Sequence, residues 1–191
     1  MDYNKIYADI FKLSEYNSDN SVSYERAINF LKKVNQVISI DNITDIGSGK
    51  ANLIKKIRDI NELRIFSYDL ECFYNINKFK NIEFNCLNLS NKKELSKIYD
   101  THILFCLDVM EHIEEKYIDN ILEIFSKKSP FCFLTIANHS DIINGNELHL
   151  IQKDNIFWDE KIKKYFNILE YETFYEKRLM CYSLQRTMET K

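Results

Sequence analysis

The sequence predicts an α/β protein: a mostly parallel sheet with helices on both faces, closed at its C-terminal end by an antiparallel hairpin. Three observations carry this. Short β-type runs alternate with stretches long enough for crossover helices. The runs at 103–107 and 131–137 are almost wholly apolar rather than alternating, as strands covered on both faces are. Two of the three glycines, Gly47 and Gly49, fall in Asp45-Ile46-Gly47-Ser48-Gly49-Lys50, directly after a strand-like run. In so glycine-poor a chain, that marks a place where backbone approaches a ligand closely.

In chain order, a polar, tyrosine-rich arm precedes residues 24–38. There Tyr24, Ala27, Ile28, Leu31, Val34 and Ile38 recur at helical spacing, with Ser23 as N-cap and Glu25 in the first turn. Strands are expected at 42–46, 64–68, 81–87, 101–107 and 131–137. The clearest crossover helix is 113–128: Ile113, Tyr117, Ile121 and Phe125 repeat every fourth residue, acids crowd its start, and Lys127-Lys128 suit the negative end of its dipole. Ser129-Pro130 stops it. A helix at 154–166 leads to strands at 167–175 and 177–187, parted by a short gap at Glu176. That is the closing hairpin. No repeat or Pro/Gly/Ser linker divides the chain, so one domain over residues 1–191 is expected, with 1–23 as a substrate-side arm or lid.

Composition narrows the function. At 191 residues the chain suits one core, burying roughly 70% of its unfolded surface. Five cysteines, at 72, 86, 106, 132 and 181, include no Cys-x-x-Cys pair and read as buried, reduced thiols of a cytoplasmic protein. Met1 to Ala8 has neither a basic nor an apolar leader region, and no membrane span is expected. A net charge of −3 with evenly spread lysines gives no basic stripe. The expected partner is therefore a small-molecule substrate, not nucleic acid or membrane, with the protein a monomer or homodimer.

The glycine turn lacks the spacing of a phosphate-gripping P-loop, and Asn52 stands where a dinucleotide fingerprint needs Gly or Ala. What remains is a strand ending in Asp45, a Gly-x-Gly turn, a helix, and a second strand ending in Tyr68-Asp69-Leu70. An acid about twenty residues beyond such a turn is placed to accept ribose hydroxyls. In these residues the chain resembles the class I S-adenosylmethionine-dependent methyltransferases. Asp45-Ile46-Gly47-Ser48-Gly49 matches the family's first motif and Asp69 its ribose-binding acid. Leu107-Asp108-Val109-Met110-Glu111-His112-Ile113 looks like the Asp-Val-Leu-Glu-His-Ile motif after the fourth strand.

The resemblance covers residues 24 to 140 and implies a Rossmann-like, seven-stranded sheet in the order 3-2-1-4-5-7-6, with S-adenosylmethionine as cofactor and S-adenosylhomocysteine as product. It implies that Gly47 and Gly49 admit the cofactor's amino-acid moiety while Asp45 and Ser48 hold one end of it. Asp69 would take the ribose, Leu70 pack on adenine, Asn88 meet the adenine amine, and Leu107 and Asp108 line the methionine part.

On the substrate side, His112 follows the fourth strand and His139 the fifth, so both are expected to face the crevice as candidate bases. His149, in a polar segment broken by Gly145, is expected to close over the site, and His102 lies at the far strand end. Glu111 is read as an acid at a helix N-terminus. Asp108, Glu111 and His112 also resemble a pattern that binds a divalent ion in some ubiquinone-type O-methyltransferases; the adopted reading assigns no metal ligand. Rings of the arm, Tyr3, Tyr7, Phe11, Tyr16 and Tyr24, suit an amine acceptor, with Tyr7 and Tyr16 the substrate candidates.

The expected activity is methyl transfer to a nitrogen or oxygen of a small polar molecule. The chain resembles bacterial enzymes of surface-polysaccharide modification, ethanolamine-phosphate N-methyltransferases among them. The alternatives are O-methylation of a sugar or phenol, a non-catalytic methyltransferase-like binding module, and a Rossmann oxidoreductase.

Overall fold

The computed structural model describes residues 21–57, 63–70 and 81–187. The arm through residue 20, with Tyr3, Tyr7, Phe11 and Tyr16, lies outside the described residues, as does Cys72.

The first helix, α1 (Val22–Asn35), begins two residues earlier than its apolar spacing suggests, because Ser21 rather than Ser23 is the cap: the Ser21 side chain accepts from the Ser23 N–H. Strand β1 (Asn42–Ile46) runs into the glycine turn and α2 (Asn52–Ile57). Then come β2 (Arg64–Asp69), β3 (Ile82–Cys86), the single turn α3 (Lys92–Leu95) and β4 (Ile103–Leu107). A 3-10 turn, Met110–His112, precedes α4 (Glu115–Lys128) and β5 (Phe131–Ala137). A small hairpin of β6 (Ile142–Ile143) and β7 (Asn146–Glu147) leads to α5 (Asn155–Ile162), β8 (Phe166–Phe174) and β9 (Leu179–Arg186).

The seven long strands form one sheet in the order β3-β2-β1-β4-β5-β9-β8. The first five are parallel; β9 pairs antiparallel with both β5 and β8. This is the fold expected from the sequence. Alternate residues of one strand serve different cores. Leu104 and Cys106 of β4 join Ile118, Ile121, Phe125 and Trp158 on one face. Ile103, Phe105 and Leu107 join Ala27, Phe30, Leu31 and Ile54 on the other. Each large apolar side chain so buried contributes about 1.5–3 kcal/mol, and β4, buried along its whole length, carries no polar face. Among the described cysteines Cys106, Cys132 and Cys181 are buried, but Cys86, ending β3, is exposed, contrary to expectation. Among the described residues no helix is long and apolar enough to cross a membrane.

Candidate functional site

Parallel strands put all their carboxyl ends on one rim, and the sequence spends its unusual residues there. At the end of β1, Gly47 and Gly49 take φ +70° and +50°, and Ala51 +58°. Gly47 is obligatory for a local reason: a Cβ there would stand 2.2 Å from Val109 Cγ2. The turn hangs from β2, with the N–H groups of Gly47 and Ser48 both donating to the Tyr68 carbonyl and the Ser67 hydroxyl donating to Ser48 Oγ at 2.7 Å. The Gly49 N–H donates to Asp69 Oδ2 at 2.7 Å and the Leu70 N–H to Asp69 Oδ1 at 2.7 Å. The expected ribose acid and glycine turn thus meet directly.

Asp45 lies beneath this turn, 3% exposed. Burial first, then the charge of Asp69, pushes its carboxyl up to about 8. Its Oδ2 is buried with no hydrogen-bond partner, an orphaned acceptor of the kind a ligand's ammonium satisfies. Asn88 is exposed, and its Oδ1 accepts from the Ser90 N–H in a local turn. Leu107 is buried at the end of β4.

Asp108 follows with φ +55°, a left-handed position that Asp tolerates better than most residues. Its two oxygens accept hydroxyls from different elements: Oδ2 from Ser23 at 2.9 Å and Oδ1 from Thr135 at 2.8 Å. Burial raises its acid while those two hydrogen bonds lower it; burial prevails.

Glu111 corrects the sequence reading. Helix α4 starts only at Glu115, so Glu111 sits in the preceding 3-10 turn and points inward, fully buried. Its Oε1 accepts from the Ala137 N–H at 2.8 Å, Oε2 is buried without a partner, and burial raises its acid well above the usual range.

Three of the four histidines converge here. The rings of His112 and His149 meet edge to face with centroids 4.7 Å apart, and those of His139 and His149 lie 4.9 Å apart. A carbonyl oxygen only accepts, so the contacts of His112 Nδ1 with the Leu148 carbonyl at 3.1 Å and of His149 Nδ1 with the His139 carbonyl at 2.6 Å place a proton on each Nδ1. Burial pulls His112 down to about 4, keeping it neutral at pH 7. Such a ring is a lone-pair donor rather than a strong base. His139 is exposed and His149 is buried, whereas His102 accepts from the Asp41 N–H at the start of β4. One ligand atom each from Glu111, His112 and His149 falls within 4.8 Å of the others.

The loop carrying His149 is built by the β6–β7 hairpin. Glu147 accepts from the Ser140 hydroxyl, from the Asp141 N–H at 2.9 Å and from the His149 N–H at 3.0 Å. These bonds, led by that of Ser140, hold its acid down to about 2. Its turn, Asn144-Gly145, has φ +51° and +77°. Asn-Gly is a strong hairpin signal in a sequence, and it was available here.

The sequence matches no protein-family model and no curated protein. Solved structures resemble it in shape. The methyltransferase domain of bacterial CtHen1-CN aligns with TM-score 0.63 at 12% identity, covering 85% of this chain and 96% of its own. The N-terminal domain of EvdMO1, solved in the presence of S-adenosylhomocysteine and D-fucose, gives 0.63 at 11%, covering 98% of each chain. Magnesium protoporphyrin IX methyltransferase (ChlM) from Synechocystis PCC 6803, with S-adenosylhomocysteine bound, gives 0.66 at 10%, covering 86% of this chain and 82% of its own. At these identities the likeness establishes the architecture: a Rossmann-like methyltransferase fold.

Proposed function

We propose that this chain is an S-adenosylmethionine-dependent methyltransferase acting on a small polar molecule. The observation that carries the reading is the Gly49 N–H bond to Asp69 Oδ2 at 2.7 Å: turn and acid share one rim, so a nucleoside lying across it would meet both. When bound, the cofactor supplies an electrophilic methyl group on a sulfonium. The protein's work is to align and dehydrate the acceptor. Gly47 and Gly49 would admit the amino-acid end, the orphaned Asp45 Oδ2 would accept from its ammonium, Asp69 would exchange the Gly49 N–H for ribose hydroxyls, and Leu70 and Leu107 would pack on its apolar parts. Ser48, Asn88 and Asp108 are secondary candidates, their side chains engaged by Ser67, by Ser90 and by Ser23 with Thr135.

An amine of the ethanolamine-phosphate type is the acceptor suggested by resemblance, and the rings supporting it lie outside the described residues. Lys177 and Arg178, which could have taken its phosphate, are exposed in the β8–β9 turn. The described residues favour the alternative, a hydroxyl oxygen: His112, His139, His149 and Glu111 gather beyond β4 and β5, groups that orient or take up a hydroxyl proton.

Calorimetric titration with S-adenosylhomocysteine tests the reading. One equivalent should bind, and Asp69→Ala should weaken it about tenfold or more, as loss of hydrogen bonds to a charged group does. Radiolabelled methyl transfer to a panel of hydroxylated small molecules and ethanolamine phosphate then decides the acceptor. A folded protein that takes up no S-adenosylhomocysteine would overturn the proposal.

A further inference from the structure

We propose that Glu111, His112 and His149 form a binding site for one divalent transition-metal ion. In sequence, only Asp108, Glu111 and His112 fall in a pattern that suggests a divalent ion. Asp108 is engaged elsewhere, its two oxygens accepting from the hydroxyls of Ser23 and Thr135. His149 comes in instead, carried by the β6–β7 hairpin, and three ligand atoms lie within 4.8 Å of one another.

Two independent observations point to a ligand. Glu111 is fully buried, yet Oε2 has no partner; a buried carboxylate oxygen left so costs free energy unless a cation or donor meets it. Both imidazoles, in addition, are oriented by backbone carbonyls at Nδ1, from Leu148 and His139. That outer-shell contact fixes ring and tautomer in metal-bound histidines. Asp141 Oδ2, 3.9 Å from His149 Nε2, adds negative charge nearby.

The donor set chooses the metal. Two imidazole nitrogens and one carboxylate, without a thiolate, suit Zn²⁺, Fe²⁺, Co²⁺ or Mn²⁺; Mg²⁺ and Ca²⁺ prefer all-oxygen surroundings. Three protein ligands leave coordination positions open. On the methyl-transfer reading above, an acceptor hydroxyl would occupy one of them, and the ion would lower that hydroxyl's pKa. The ligation itself does not depend on that reading.

The test uses the full chain, stripped with chelator and titrated with Co²⁺ by visible absorption and with Zn²⁺ by calorimetry, without S-adenosylhomocysteine. One ion per chain should bind, and excess Mg²⁺ should not displace it. Glu111→Gln and His149→Asn should each weaken uptake at least about tenfold, with circular dichroism melts confirming that each variant folds; should Glu111→Gln not fold, His149→Asn decides. His102→Asn, at the opposite end of the sheet, should bind like the parent. Absence of stoichiometric uptake, uptake undiminished in the folded variants, or equal weakening by His102→Asn would each overturn the site. A protein that binds S-adenosylhomocysteine but takes up no metal defeats this inference alone; one that takes up metal but, in a separate titration, binds no S-adenosylhomocysteine defeats the methyl-transfer reading alone.

Discussion

Ser23 and Asp108 stand 85 positions apart, yet the Ser23 hydroxyl donates to Asp108 Oδ2 across 2.9 Å. The serine expected to cap a helix is instead a buried strut that reaches from α1 to the end of β4, while Ser21 caps the helix. Ser23→Ala should remove one of the two hydroxyls holding the Asp108 carboxylate and cost about 1.5 kcal/mol of stability, the lower end for a charged acceptor because Asp108 keeps Thr135. Urea unfolding measures this. Combined with Thr135→Val, the loss should exceed the sum of the two singles, since both bonds serve one carboxylate. Strict additivity would show that they do not.

A side chain at Gly47 would collide with Val109. Gly47→Ala carries two separable costs: roughly 1–2 kcal/mol for an L-residue at positive φ, and about 1–3 kcal/mol for forcing a methyl against Val109. Val109→Ala should relieve only the second. A thermal double-mutant cycle should therefore give a favourable coupling of about 1 kcal/mol or more, with the double variant still below Val109→Ala. No coupling would mean the turn shifts away from β4 when crowded.

These two residues show where sequence reading succeeds and stops. Strands β1 and β5 fall on the expected 42–46 and 131–137; β5, buried on both faces, writes its length in apolar residues, whereas β1 is bounded by the glycine turn that follows it. The Gly47–Gly49 turn and Asp69 were legible because their contact lies within one β-α-β unit. Helix starts were less so: Ser21 and Ser23 are both good caps, and only packing against Asp108 separates them. Glu111 was misread because the 3-10 turn before α4 reverses which way it faces. The convergence of His149 on His112 is tertiary, delivered by a hairpin whose strands are two residues each, too short to register as β-type runs.

That hairpin depends on Glu147. Its carboxylate gathers the Ser140 hydroxyl and the N–H groups of Asp141 and His149. Glu147→Ala should leave the sheet's protection intact while hydrogen exchange at the Asp141 and His149 amides accelerates. Metal uptake should weaken in parallel, because His149 would lose its fixed position. Unchanged exchange at both amides would show that the hairpin stands without the carboxylate.

Asp45 makes stability depend on pH in a direction opposite to most carboxylates. In the folded chain its acid holds a proton up to about 8, against an ordinary value of 3.8. Between these values the native state binds more protons than the unfolded chain, so this residue's contribution makes stability fall as pH rises through the window and level off above it. Asp45→Asn keeps the shape, has no proton to lose, and should fall less steeply across the same window in urea unfolding. Comparison with the parent isolates Asp45 from Asp108 and Glu111, whose raised acids act in the same direction. A ligand ammonium at the orphaned Oδ2 would favour the ionised form, so S-adenosylhomocysteine should bind the parent more tightly as pH approaches 8, and Asp45→Asn should lose that rise. Equal pH slopes in parent and variant, for stability and for binding alike, would show that Asp45 is ionised throughout.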